Sequence, residues 1–377
     1  MRRRDSVGTV AGRMTETRGA TSERAPTRPA TIDCDLHNNV PNVRALFSYL
    51  PVYWREHINQ TLFKGPVDSL YPRNAPISAR PDSKPTEEGV AGSDLSLLQS
   101  QILDPLGIEY GVLNCAYAID GLHHPDAAAA LASAVNDWQI EEWLNRDSRL
   151  RASIVVPSQL PALAAREIDR VGDHPGFVQV YLPVRSQHPW GSRIHQPLWE
   201  AIARHDLVAG LHFGGVPGNP PMPSGWPSYF LEEYAGMAQV FQSQVVSIVS
   251  EGVFDLFPNV NVALIESGFT WLPTFMWRFD KEWRNLRRLV PWVKHAPSEY
   301  VREHIRVTIQ PLDPPPNPQH MFQVVEELGA EQMLLFATDY PHRHAADPEQ
   351  ALFPYLPAAL VQKIRSENAR ALYRLPE

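Results

Sequence analysis

Short apolar runs alternate along this chain with longer stretches in which apolar residues recur every three to four positions. Eight of the runs predict strands, at 31–37, 108–115, 151–157, 177–183, 208–213, 260–266, 305–310 and 333–338. Most are nearly continuous in apolar character, as strands covered on both faces are. The segment 125–144 predicts a helix. Pro125 sits in its first turn, Asp126 follows, and Leu131, Val135 and Trp138 fall on one face. Leu198 and Ile202 mark a second helix, and Val245, Ile248, Val249 and Val253 a third. Phe322, Val325 and Leu328 lie on a fourth that ends at Gly329, a glycine suited to the left-handed turn after a helix. Leu360, Ile364 and Leu372 belong to a terminal helix. This alternation predicts an α/β fold built on a parallel sheet. Eight units in 377 residues suit a distorted (β/α)8 TIM barrel.

Long loop insertions interrupt the pattern at 38–93, 214–228 and 311–318, after strands 1, 5 and 7, and the 36 prolines concentrate in such loops. Barrel active sites form at the C-terminal ends of the strands, so these insertions are expected to wall the site. Trp54, Trp226 and Tyr229 are candidate wall residues. Residues 1–30 are rich in Arg, Ser and Thr and contain no apolar core of a secretory signal. They are expected to be a disordered tail, with 31–377 forming a single barrel domain.

A hydrophobic fraction of 44% allows a large core, and a formal net charge of −8 argues against the basic face of a nucleic-acid binder. No apolar run approaches the roughly 20 residues of a membrane span. A cytoplasmic protein acting on a small molecule is therefore expected. The two cysteines, Cys34 and Cys115, are too few for a disulfide framework or a structural zinc site, and their apolar surroundings predict buried thiols.

The chemistry-bearing residues cluster at predicted strand ends. Asp35 and His37 close the first strand and, two residues apart, can project to one side. His212 closes the fifth, in Leu-His-Phe-Gly-Gly, and Asp339 the eighth, in Ala-Thr-Asp-Tyr-Pro-His. Imidazole and carboxylate together suit zinc, manganese or ferrous iron, and a catalytic site keeps one position open. Caps and hydrogen bonds are the ordinary use of any one such residue, but four at equivalent positions point to a metal. Glu266 closes the sixth strand and can serve as general acid or base if its pocket is apolar, or else pair with an arginine. His342 is placed to orient a ligand or touch substrate. Beyond strand six lie Trp271, Trp277, Arg278, Asp280 and Trp283. Packing around an Arg–Asp pair accounts for them. The sharper reading gives Arg278 a substrate carboxylate, which its planar fork fits, with Trp271 beside it.

These residues resemble amidohydrolase family 2, the group that includes the aminocarboxymuconate-semialdehyde decarboxylase type. The resemblance runs over about residues 31–375. It rests on Ile-Asp-Cys-Asp-Leu-His at 32–37, Asn-Asp-Trp at 136–138, Leu-His-Phe-Gly-Gly at 211–215, Glu-Ser-Gly-Phe-Thr-Trp-Leu-Pro at 266–273, Pro-Ser-Glu-Tyr at 297–300 and Thr-Asp-Tyr-Pro-His at 338–342. It implies a distorted barrel with one divalent metal ion per chain, held by Asp35, His37, His212 and Asp339. It also implies a homodimer. Two departures stand out. Many members read His-x-His where this chain reads Asp-Leu-His, which adds a hard oxygen donor and brings manganese level with zinc. Decarboxylating members carry a histidine where this chain has Glu266. That substitution favours hydrolysis of an ester, amide or lactone by metal-activated water, with Asp339, Glu266 and His342 moving protons and zinc as the first choice of metal. The alternatives are non-oxidative decarboxylation of an aromatic or dienoic acid, and a barrel that only binds ligand.

Overall fold

The computed structural model describes residues 30–66, 79–215 and 220–377. All but the last residue of the expected tail lies outside them. Eight parallel strands run in sequence order: β1 (Thr31–Leu36), β2 (Ile108–Leu113), β3 (Leu150–Val155), β4 (Phe177–Arg185), β5 (Val208–Gly215), β6 (Val262–Ile265), β7 (Ile305–Thr308) and β8 (Leu334–Leu335). Each pairs with the next. The seam between β8 and β1 closes through Cys34 N–H to the Phe336 carbonyl at 2.9 Å and His37 N–H to the Tyr340 carbonyl at 2.7 Å. Asp33 reinforces it, accepting from Thr338 Oγ1 at 2.6 Å and Thr338 N at 3.1 Å. The chain is thus a (β/α)8 barrel, and all eight expected strands are present.

The expected helices form, with changes of detail. Helix Pro125–Gln139 continues into a wider turn over Ile140–Leu144. Phe230–Ser250 starts well ahead of its marker residues, and Val253 falls in a separate short turn. Gly329 ends Gln319–Leu328 at φ 72°, as expected. The 38–93 segment is not wholly irregular, because Val52–Thr61 is helical. Its low apolar content hid it. Among the described residues no helix is long and apolar enough to cross a membrane. Cys34 and Cys115 are both buried and free.

The barrel floor is sealed by the C-terminal helix. Ile32, Cys34, Val112, Val208, Ala263 and Leu335 come from five different strands. All pack in one cluster with Leu372, Tyr373 and Leu375. Contact between one helix and strands on every side places its apolar face inside the barrel mouth opposite the strand C-termini. Each leucine, isoleucine or valine among them contributes about 1.5–3 kcal/mol through burial.

Candidate active site

The strand C-termini bring Asp35, His37, His212, Glu266, Asp339 and His342 together. In β1 the register against β2 runs from Asp33↔Gly111 to Leu36↔Leu113, so three residues of β1 advance past two of β2. The register thus shifts beside the candidate ligands, and His37 Nε2 lies 3.8 Å from Asp35 Oδ1. Asp35 Oδ1 also lies 3.3 Å from His212 Nε2. Asp339 Oδ1 takes His37 Nε2 at 3.0 Å and His342 Nδ1 at 2.8 Å, while its Oδ2 takes His344 Nε2 at 2.7 Å.

Glu266 and Asp339 end their strands in the left-handed region, at φ 59° and 58°. Non-glycine residues rarely adopt that conformation, and it is tolerated where the surroundings over-determine it. Asp339 N–H donates to the Asp35 carbonyl at 3.1 Å, and Glu266 N–H donates to Thr308 Oγ1 at 3.2 Å. These bonds turn both carboxylates into the barrel mouth.

The donor set fits a divalent cation. Asp35, His37 and His212 offer ligand atoms within 4.8 Å of one another, and so do His37, Asp339 and His342. Asp35 Oδ2 is buried with no hydrogen-bond partner, a costly state that a cation would relieve. His212 Nδ1 lies 2.8 Å from the Phe213 carbonyl. Donation there leaves the Nε2 lone pair free for a metal.

The electrostatics separate the two strand-end carboxylates. Burial raises the pKa of Glu266 well above the ordinary range, and the neighbouring Asp339 and Asp35 charges add to this. Burial acts the same way on Asp339, but His342, His344 and His37 outweigh it and hold that group well below the carboxylate range. For His212 and His342, burial favours the neutral ring, yet Asp35 and Asp339 respectively pull their pKa values upward.

Above this cluster opens a cavity of about 350 Å³, within the roughly 300–1,000 Å³ of small-ligand pockets. Its floor includes His37, His212, Glu266 and His342, and Tyr117, Phe213, Phe230 and Tyr234 give it aromatic walls. Two expectations for substrate contact are corrected. Arg278 is exposed on helix Leu272–Leu286 and does not line the cavity, and Asp280 bonds Ser298 instead of pairing with it. Trp271 also lies outside the lining and turns its Nε1–H to the carbonyls of Ser267 and Gly268, each at 3.0 Å. Trp226 and Tyr229 are exposed and Trp54 packs against His124, so none of the three is a wall. Residues the sequence reading passed over also contribute. Asn114 ends β2 and donates to Asp35 Oδ1 at 2.9 Å. It obeys the same rule of a polar residue after an apolar run that exposed the other candidates.

A family model of the amidohydrolases matches residues 32–375. Gamma-resorcylate decarboxylase from Rhizobium radiobacter is 28% identical over 306 residues, covering 75% of this chain and 88% of that protein. Among solved structures, 5-carboxyvanillate decarboxylase from Sphingomonas paucimobilis superposes with a TM-score of 0.69 at 20% identity, covering 92% of this chain and 100% of that one. A dihydroxybenzoic acid decarboxylase from Polaromonas sp. JS666, with bound manganese and 2-nitroresorcinol, gives 0.63 at 21% identity, covering 92% and 97%. At these identities the two structures speak for the fold alone. The curated relatives are gamma-resorcylate decarboxylases, which overturns the expectation of hydrolysis. A glutamate in place of histidine at position 266 was too little to set against them, because a carboxyl group also delivers protons.

Proposed function

This chain is an enzyme of the amidohydrolase family, and from that premise we propose that it catalyses the metal-dependent, non-oxidative decarboxylation of a hydroxylated aromatic acid. One observation carries the reading. His37, His212 and the proton-holding Glu266 line one aromatic-walled cavity, and Asp35, with an oxygen that has no hydrogen-bond partner, lies against His212 beneath it. The decarboxylase relatives support it.

Asp35, His37, His212 and Asp339 would hold the ion. Two hard oxygens with two imidazoles suit manganese, the metal in the Polaromonas relative. When bound, the ion would supply a Lewis acid for the oxygens of a hydroxylated aromatic acid. Tyr117, Phe213, Phe230 and Tyr234 hold the ring by stacking and edge contacts. Glu266 gives its proton to the ring carbon that carries the carboxylate. The bond from that carbon to the carboxylate then breaks, its electron pair restores the aromatic ring, and CO2 leaves. His342 Nδ1 lies 3.9 Å from Glu266 Oε1 and its side chain is 28% exposed, so it can return a proton from solvent. The balance is one proton consumed for each CO2 released.

The test is incubation of the manganese-loaded protein with 2,6-dihydroxybenzoate and other 2-hydroxybenzoates in D2O. CO2 release with one deuterium at the vacated ring position is expected. A protein carrying about one divalent ion per chain that releases no CO2 from any of these acids would overturn the reading.

A further inference from the structure

A chain of buried polar side chains crosses the apolar barrel interior from floor to site. Tyr373 Oη, on the C-terminal helix, donates to Gln179 Oε1 at 2.9 Å. Gln179 Nε2 donates to Asn114 Oδ1 at 3.0 Å and to Ser153 Oγ at 2.8 Å. Ser153 Oγ donates to Asn114 Oδ1 at 2.6 Å. Asn114 Nδ2 then donates to Asp35 Oδ1 at 2.9 Å and to the Cys34 carbonyl at 3.3 Å. Asn114, Ser153 and Gln179 have no exposed surface, and Tyr373 is 5% exposed.

The two ends of this chain polarise it in one direction. A carboxylate only accepts, so Asp35 demands the NH2 of Asn114. That turns the Asn114 oxygen toward Ser153 and Gln179, which must then donate. Gln179 consequently presents its oxygen to Tyr373, and the phenol supplies the last proton. Burial raises the Tyr373 pKa well above its ordinary value, and the nearby Cys34 and Asp35 add to this, so the proton stays on. Reversing either amide would set an acceptor against the Asp35 carboxylate or leave the phenol proton without an acceptor, and each fault is costly in a dry interior. The barrel keeps room for the chain at Gly210, where a Cβ would lie 2.4 Å from Gln179 Cδ and Nε2.

We infer that Tyr373, Gln179 and Asn114 are positioning residues for the metal site. They fix which oxygen of Asp35 is offered to the ion, so that the helix sealing the barrel floor sets ligand geometry at its mouth. Asp35 Oδ1 is occupied by Asn114 and faces His212, and Oδ2 is the oxygen left without a partner. The inference rests on the metal site proposed above.

The experiment is titration of the metal-free protein with Mn(II), following the free ion by electron paramagnetic resonance, for the parent, Tyr373→Phe and Asn114→Ala, with folding checked by circular dichroism. Removing a hydrogen-bond partner of a ligand typically weakens metal binding about 10- to 100-fold, and Asn114→Ala is expected in that range. Tyr373→Phe keeps the ring in the floor and removes only the proton that orients Gln179. It should weaken binding in the same direction, by about threefold or more, and change the signal of the bound ion. A role in packing alone would lower the melting temperature and leave Mn(II) affinity unchanged. If Asn114→Ala does not fold, Tyr373→Phe and Gly210→Ala, which displaces Gln179 sterically, decide the matter. Folded variants that bind Mn(II) with parental affinity overturn the inference alone. A parent that binds no divalent ion removes the metal reading and this inference with it.

Discussion

His37 Nε2 lies 3.0 Å from Asp339 Oδ1, so the ends of the first and last strands of the barrel meet in one pair of candidate ligands. A cation held there stabilises the seam as well as the site. Removing the ion should lower the melting temperature, and restoring Mn(II) should raise it. At a free concentration about a hundredfold above Kd the gain is about 2.7 kcal/mol. The measurement is calorimetry with and without a chelator that is then dialysed away. A melting temperature indifferent to both treatments would show that no ion bridges these strands.

His212→Ala and Asp339→Ala each remove one donor from the buried set. Metal content by plasma mass spectrometry should fall from about one ion per chain toward zero in both variants, with circular dichroism unchanged. Retention of a full ion in either would remove that residue from the ligand set.

Glu266→Gln keeps the shape of the side chain and removes the proton it can transfer. Decarboxylation should fall by about a hundredfold or more, the usual worth of a positioned acid, while metal content stays near the parental level. If the variant retains more than a tenth of parental kcat, the proton comes from another group.

The strands and four ligand candidates were legible because a barrel strand is a buried apolar run, and a polar residue at its end stands out against that run. Asp35, His212 and Asp339 all follow this rule, and Asn114 does too. Other features had no local signature. The register shift between β1 and β2 involves two strands and cannot be read from either one. Arg278 carries the right chemistry for a carboxylate, but the helix over Leu272–Leu286 turns it to solvent along with Trp277, which is 53% exposed. Gln179 and Tyr373 are 194 positions apart, and only the closed barrel brings them together. Reaction type was least legible, because hydrolysis and decarboxylation use the same ligands.

Arg185 ends β4 and forms a buried ion pair with Glu233, at side-chain exposures of 7% and 1%. Its Nε donates to the Gly214 carbonyl at 3.2 Å, and its guanidinium lies 5.4 Å from the Phe213 ring centroid. The pair therefore ties helix Phe230–Ser250 to the cavity wall. Glu233→Ala removes the carboxylate partner of a buried guanidinium and should cost about 3–5 kcal/mol in urea unfolding. It should also raise KM more than it lowers kcat, because Phe213 and Gly214 line the cavity and transfer no proton. A loss below about 1 kcal/mol would mean that solvent reaches the guanidinium and replaces the pair.

His195 offers a pH test away from the metal site. Its ring is buried 4.6 Å from that of Trp190 and its Nδ1 has no hydrogen-bond partner. Burial pushes its pKa down from 6.5 to about 4, against the raising effect of the His188 carbonyl. The unfolded chain thus binds a proton between pH 6.5 and 4 that the folded chain refuses, so this group makes stability fall as pH drops through that window. His195→Gln removes the titration. Unfolding free energies at pH 7 and pH 4.5 should differ less in His195→Gln than in the parent, even though the variant starts lower at pH 7 through lost packing. An identical pH dependence in the two proteins would mean that His195 protonates equally in the folded and unfolded states.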